Sequence, residues 1–174
     1  FDGQLTRQQL AGWARQDFAL KRCPTWWVGG RLLNSPSLDV QRAVFGALLD
    51  ELGDEDRGGH TEMYLRFSRA LGMTDDEMFG AGLLPSTVMA VDQLMAINRN
   101  RPVYESLASG SVAGEAVNVQ FSTRFIEAND RVYKLPRESL DWFYEHTVAD
   151  EGHAGIGETV VMRLARSVDA QNRV

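Results

Sequence analysis

The chain has 174 residues, 44% of them hydrophobic, and a formal net charge of −6, which suits one soluble globular domain. The acidic balance and the lack of a Lys/Arg-rich run argue against a nucleic-acid surface, and no apolar stretch is long enough for a membrane span. The single cysteine, Cys23, excludes an internal disulfide and is consistent with a cytoplasmic protein. Nothing at the start resembles a signal peptide, but the chain opens abruptly on Phe1, so an upstream segment stays open as an alternative.

The spacing of apolar residues predicts helices nearly throughout, in one all-α domain that covers residues 1–174. Breaks are expected at Gly29-Gly30 and near Gly110, because glycine weakens a helix interior. In chain order, the first predicted helix is capped by Thr6 and ends near Lys21, and the second is capped by Ser37 and ends at Leu52. The next ones run from His60 to Leu71, over a short stretch capped by Thr74, from Pro85 to Asn98, and from Tyr104 to Ala128. The last two cover Arg137 to Ala149 and Asp150 to Ser167, as a pair or as one bent helix.

The last predicted pair of helices carries a candidate metal site. His146, Asp150 and His153 have the spacing i, i+4, i+7, so on a continuous helix all three project from one face. Trp142 and Gly157 extend the same stripe, which is therefore expected to point inward. A single inward histidine is more often a hydrogen-bonded core residue. Three titratable groups on one buried face each need a partner, and a divalent metal ion is a partner that all three can share.

Three further ligand candidates lie on other predicted helices. Glu51 and His60 fall on the apolar stripes of their helices, and Glu115 lies between small residues on a third. Each carboxylate taken singly is better explained as a solvated or ion-paired residue. The chain's three histidines all belong to this set, and together with the three carboxylates they suffice for two iron ions with open positions. A structural zinc site is less favoured because such sites prefer several cysteines and Cys23 stands alone.

These residues resemble the ligands of the haem-oxygenase-like di-iron oxidases and oxygenases. The similarity lies in Asp50-Glu51-Leu52-Gly53, in His60 at the start of an apolar helix, and in the spacing His146-x3-Asp150-x2-His153. The resemblance implies a haem-oxygenase-like bundle of about seven helices. It implies two Fe(II) ions, the second weakly bound, with dioxygen as co-substrate. The ligands that it implies are Glu51, His60, Glu115, His146, Asp150 and His153.

The loop before His60 departs from the family pattern. It is unusually acidic, so Asp54, Glu55 or Asp56 is an alternative or additional ligand to Glu51. Arg57 stands where some members carry an extra glutamate. The ligands of the second metal ion therefore stay open.

The resemblance implies an iron-dependent oxidoreductase of specialised metabolism that oxidises a small amine- or carboxylate-bearing metabolite, above all an amino acid or a derivative. N-oxygenation, desaturation and carbon–carbon cleavage are equally open outcomes. Besides the substrate, the one partner left open is a second copy of the chain, in a homodimer. The alternatives are a fatty-acid oxidative decarboxylase of the same family, a cofactor-free hydrolase or oxidase of the thiaminase or pyrroloquinoline-quinone-synthase kind, which share the fold, and a non-catalytic helical binding module. A thiaminase-like mechanism needs a nucleophilic cysteine, whereas the position of Cys23 just before Pro24 favours a packing role.

Substrate-pocket residues are less defined. The predicted Pro85 helix carries an apolar stripe that either lines an adaptable pocket or, as we favour, belongs to the core. The stripe comprises Val88, Met89, Leu94 and Met95. Trp26 and Trp27 either form the floor of the pocket or cover the core.

Overall fold

Helices account for the regular structure of the chain. The computed structural model describes residues 3–54, 58–80, 82–147 and 149–174, and of residues 116 and 149–154 it describes the backbone alone. No strand occurs in those ranges, so the prediction of an all-α protein is confirmed. The α-helices in these ranges are α1 (Arg7–Lys21), α2 (Pro24–Leu33), α3 (Leu38–Leu52), α4 (His60–Ala70), α5 (Asp75–Gly80), α6 (Pro85–Asn100), α7 (Val103–Leu107), α8 (Ala116–Ala128), α9 (Asp141–His146), α10 (Ala149–Leu164) and α11 (Val168–Gln171).

The described ranges contain more helices than the about seven that were expected. Seven of these α-helices have ten or more residues, among them α2, which was not predicted from the sequence, and α5, α7, α9 and α11 are short. A π-helix, Ala108–Glu115, joins α7 to α8, and a second one, Asn129–Tyr133, follows α8. The expected break near Gly110 is therefore a change from α to π geometry. None of the described helices combines the length and apolar character needed to cross a lipid bilayer.

Local signals in the sequence set two of the helix starts. Thr6 and Gln9 form a capping box at α1, with the Gln9 amide donating to Thr6 Oγ1 at 3.2 Å and the Thr6 amide donating to Gln9 Oε1 at 2.9 Å. Thr74 and Glu77 repeat the arrangement at α5. Ser37 occupies the cap position of α3, but its hydroxyl bonds the Asp39 side chain instead of a backbone amide.

The predicted break at Gly29-Gly30 is wrong. Helix α2 runs through both glycines. The absence of a side chain at Gly30 lets α2 pack closely against α6, and this packing stabilises the helix. A Cβ on Gly30 would lie 3.2 Å from Arg99 Cγ and 3.5 Å from the Asn98 carbonyl. A glycine inside a helix costs about 1 kcal/mol relative to alanine, and close contact between two helices offsets that cost.

The last helical pair has different bounds from those predicted. Helix α9 ends at His146, and α10 begins at Ala149. Residue 148, between them, lies outside the described residues, so the alignment of His146, Asp150 and His153 on one face stays a prediction.

Aromatic side chains make up much of the core beneath the site. Phe67 contacts Phe125 and Phe143 edge to face, at ring-centre distances of 5.4 and 4.9 Å. All three rings are fully buried, and each contributes about 1.5–3 kcal/mol through the hydrophobic effect. This cluster joins α4, α8 and α9, and thereby sets the position of two of the helices that carry histidines.

Candidate metal centre

Glu51, His60 and His146 converge at one point in the fold. One ligand atom from each lies within 4.8 Å of the other two. Glu51 Oε2 is 3.1 Å from His60 Nδ1, and the ring centres of the two histidines are 4.5 Å apart. The residues come from the end of α3, the start of α4 and the end of α9, and both histidines are buried. Two imidazole nitrogens and a carboxylate oxygen are donors that suit a divalent transition metal such as Fe(II).

The close approach of the end of α3 to the start of α4 brings Glu51 next to His60. Gly53 adopts a positive φ of 71°, and a Cβ there would lie only 2.2 Å from the carbonyl oxygen of Gly58. A Cβ on Gly59 would lie 2.4 Å from the Leu52 carbonyl oxygen. Only residues without a side chain permit this approach of the two helix ends. The glycines of the loop therefore set the distance between two of the three candidate ligands.

The orientation of His146 leaves one nitrogen suited to a metal. Its Nδ1 lies 2.6 Å from the Trp142 carbonyl oxygen, which can only accept a hydrogen bond, so Nδ1 carries the proton. The unprotonated Nε2 then keeps its lone pair, as in metal-binding histidines held by a backbone carbonyl. The imidazole also stacks on the Trp142 indole, with ring centres 3.9 Å apart.

The electrostatics of the cluster favour the metal-binding protonation states. The pKa of His146 is lowered to about 3, above all by burial and then by repulsion from His60, while Glu51 and the Trp142 carbonyl oppose this shift. Burial raises the pKa of Glu51, but its hydrogen bond to His60 and its attraction to the neighbouring imidazoles and Lys21 outweigh this effect and hold the pKa below its ordinary value. A neutral imidazole and an ionised carboxylate are the forms that bind a metal ion.

Acid is expected to destabilise the metal-free protein through His146. The folded state keeps this imidazole neutral down to a pKa of about 3, whereas the unfolded chain takes up the proton near pH 6.5. Below that pH the unfolded state binds more protons, so the free energy of unfolding falls as the pH drops towards 3. Denaturant titrations of chelator-treated protein between about pH 7 and about pH 4.5 should show this fall, and His146→Gln should reduce it. Equal pH dependence in both proteins would rule the effect out.

A cavity of about 400 Å³ lies against the cluster. Glu115 lies on its wall and accepts a hydrogen bond from Ser111 Oγ at 3.1 Å, but it is not among the three groups that converge within 4.8 Å. The other described residues that line the cavity include Trp13, Asp17, Leu20, Lys21, Trp27, Glu51, His60, Leu94, Ser109, Gly110, Gly114, Val117, Asn118, Phe121, Trp142 and His146.

Other sequence-predicted ligands stay predictions. The side chains of Asp150 and His153 lie outside the described residues, although α10 carries both positions. Glu55 and Asp56 also lie outside them. Asp54 is described as exposed, and it is absent from the converging group.

The structure separates the predicted pocket residues into two sets. Trp27 and Leu94 line the cavity. Val88 and Met89 are 41% and 71% exposed, so the favoured core interpretation is wrong for these two, because that face of α6 is turned to solvent. Trp26 is also largely exposed.

Cys23 lacks the environment of a nucleophile. Burial raises the pKa of its thiol, and the neighbouring Arg22 offsets this only in part. Activated cysteines have a lowered pKa, so the thiol is less reactive than an exposed one. It is also not among the residues described as lining the cavity.

Sequence reasoning missed the contribution of α1. Trp13, Asp17 and Lys21 recur every four residues and line the cavity from one face of that helix. Lys21 Nζ lies 4.9 Å from the centre of the Trp142 ring and 3.7 Å from Asp17 Oδ1. The only signal in the sequence was the i, i+4, i+8 spacing of an aromatic, an acidic and a basic residue. That pattern is also typical of a helix face turned to solvent.

Comparisons of sequence connect the chain to enzymes. A family model described as iron-containing redox enzyme matches residues 11–174. The pyrroloquinoline-quinone synthase of Granulibacter bethesdensis is 28% identical over 149 residues, which are 85% of this chain and 55% of that protein. The pyrroloquinoline-quinone synthase of Pseudomonas putida is 30% identical over 113 residues, or 64% of this chain and 45% of that protein. The chain thus spans about half the length of the curated relatives it matches.

Comparisons of structure identify the fold. A TenA homologue from Pseudomonas syringae pv. tomato superposes with a TM-score of 0.85 at 12% identity, covering 99% of this chain and 73% of that one. A domain of unknown function with a haem-oxygenase-like fold, from Shewanella denitrificans, gives a TM-score of 0.80 at 16% identity, covering 99% and 72%. At such low identity the likeness concerns the fold alone, and it confirms the predicted haem-oxygenase-like bundle.

Proposed function

The chain belongs to the family of iron-containing redox enzymes, and we propose that it is a non-haem iron oxidase or oxygenase that holds iron at Glu51, His60 and His146. The convergence of these three side chains within 4.8 Å is the observation that carries the proposal. We further propose a di-iron centre, in which Glu115, Asp150 and His153 supply the remaining ligands. The bound Fe(II) ions would supply the electrons for reducing dioxygen.

The residues around the cluster would prepare the site for that chemistry. The Trp142 carbonyl holds His146 in the tautomer that offers Nε2, so no tautomer change is needed on binding. Trp13, Phe121 and Trp142 line the cavity with bulky aromatic rings, which would displace water from around a bound substrate. Exclusion of water strengthens the electrostatic interactions of the site and protects reactive species from side reactions.

The cavity suits a small substrate with a charged head and an apolar body. Its volume of about 400 Å³ lies in the range of small-molecule sites. Lys21 offers an ammonium group to a carboxylate, and Asp17 beside it offers a carboxylate to an amine. Both charges together match an amino acid, which we propose as the substrate class. A fatty acid would use Lys21 alone.

Loss of the Lys21 charge should selectively weaken the binding of substrates that carry a carboxylate. Lys21→Met is expected to raise KM for an acid substrate about tenfold, with kcat changed far less, because the lost ion pair lies at the partly buried cavity wall. The carboxamide analogue of the same substrate should be unaffected. Steady-state oxygen consumption measures both. Lys134→Met is the matched control, since Lys134 is exposed and outside the cavity lining. An equal rise in KM for the acid and the amide would show that Lys21 does not bind the substrate carboxylate.

The proposed activity is tested by anaerobic loading with Fe(II), followed by air and a panel of amino acids and fatty acids. Iron-dependent oxygen consumption with at least one class is the expected result. Full turnover by chelator-treated protein would instead favour a cofactor-free oxidase. Activity lost specifically in Cys23→Ala would favour a nucleophilic mechanism.

A further inference from the structure

Arg31 is a buried cation that the proposed chemistry does not use. It is 2% exposed, its Nε donates to Asn98 Oδ1 at 2.8 Å, and its Nη1 donates to Ser111 Oγ at 3.0 Å. Asn98 is itself fixed by a 2.8 Å hydrogen bond from Nδ2 to the Leu94 carbonyl. Arginine is almost never fully buried unless its charge is compensated. A compensating group for this guanidinium is therefore expected nearby.

Ser111 connects the guanidinium to Glu115. The Ser111 hydroxyl accepts from Arg31, which can only donate, so its single proton is free for Glu115 Oε1 at 3.1 Å. Burial lowers the pKa of Arg31, and the negative charges of Glu115 and Glu51 counteract this. The compensating charge is thus a carboxylate on the wall of the cavity, reached through one hydroxyl group.

The backbone around the guanidinium is shaped to admit it. A Cβ on Gly110 would lie 1.9 Å from Arg31 Nη2, and a Cβ on Gly157 would lie 2.8 Å from Ser111 Cβ. Gly110, Ser111 and Glu115 all belong to the π-helix Ala108–Glu115. Single-turn π segments are frequent at functional sites, where they redirect side chains. The fold therefore holds Ser111 between Arg31 and α10 with little freedom to move.

We infer that Arg31 is a positioning residue, which through Ser111 holds the Glu115 carboxylate on the cavity wall in the place where it can bind a metal ion. The inference rests on the proposed function, because it assigns Arg31 a task only in a metal-binding protein. Arg31 touches neither substrate nor metal in this role. It acts by fixing Glu115 Oε1 through the Ser111 hydroxyl.

The test removes the connecting hydroxyl and leaves both charges in place. Ser111→Ala should weaken the binding of one Fe(II) ion about tenfold in anaerobic calorimetric titration of the full chain, since a hydrogen bond to a charged group is lost. The visible spectrum of the Co(II)-substituted protein should change as well, because the spectrum reports the ligands. Ser106→Ala is the matched control: Ser106 is equally buried, and its hydroxyl donates to the Val103 carbonyl at 3.0 Å rather than to Glu115.

A second pair of variants separates positioning from folding. Arg31→Met should weaken metal binding in the same way, and Arg31→Lys should restore part of it by returning the charge. Normal Fe(II) affinity and an unchanged Co(II) spectrum in Ser111→Ala would overturn the inference while leaving the proposed function intact. Absence of Fe(II) binding in the unaltered protein would overturn both.

Discussion

Replacing Glu51 with glutamine, or His60 with alanine, is expected to lower the affinity for Fe(II) by more than about 100-fold. Loss of an outer-shell partner alone typically costs about 10- to 100-fold in metal affinity, and these side chains are proposed as direct ligands. An amide oxygen is a weaker donor than a carboxylate, and alanine offers none. Anaerobic titration followed by elemental analysis after desalting measures the effect as iron retained per chain.

Asp17→Asn is the matched control for Glu51→Gln. It makes the same carboxylate-to-amide change on the wall of the same cavity, but Asp17 is outside the converging group. Asp17 Oδ2 accepts a hydrogen bond from the Tyr64 hydroxyl at 2.9 Å, which the asparagine oxygen can still accept. Iron retention should therefore be close to normal in Asp17→Asn. Undiminished iron in Glu51→Gln would exclude Glu51 as a ligand.

Gly53→Ala is expected to cost about 3–4 kcal/mol of unfolding free energy and to weaken Fe(II) binding with it. The new methyl group would lie 2.2 Å from the Gly58 carbonyl oxygen, so Gly53 and Gly58 have to move apart. This movement takes the end of α3, with Glu51, away from the start of α4, with His60. Thermal or denaturant unfolding of metal-free protein measures the first effect, and Fe(II) titration measures the second.

Gly72→Ala separates backbone strain from the steric clash. Gly72 also has a positive φ, of 92°, but nothing lies within 4 Å of the position of its Cβ. This substitution should cost only about 1–2 kcal/mol, the price of a left-handed conformation, and should leave Fe(II) binding unchanged. Equal costs at the two glycines would show that contact with Gly58 is not what makes Gly53 necessary.

Much of the fold could be predicted from local patterns. The starts of α1 and α5 follow from Thr6 and Thr74, whose side chains form capping boxes within their own first turns. Gly29 and Gly30 were misinterpreted because their role depends on α6, far away in the sequence. The π-helix Ala108–Glu115 was seen only as a weak point, since π and α helices share nearly the same local preferences.

Only some residues of the candidate site could be predicted from the sequence. Glu51, His60 and His146 could be singled out because a histidine or carboxylate on an apolar stripe needs a partner, and the structure brings them together. Lys21 and Arg31 could not, since a lysine or arginine ordinarily lies at the surface. What places them at the site is packing between helices distant in the chain: Lys21 near Trp142 of α9, and Arg31 against Asn98 and Ser111.

The position of bound iron tests the account most directly. Crystals grown or soaked anaerobically with Fe(II) would be measured on both sides of the iron absorption edge, and the anomalous difference density locates the metal. The account predicts a peak within coordination distance of Glu51, His60 and His146. Iron bound elsewhere, or no peak at this cluster in protein that retains iron in solution, would contradict it.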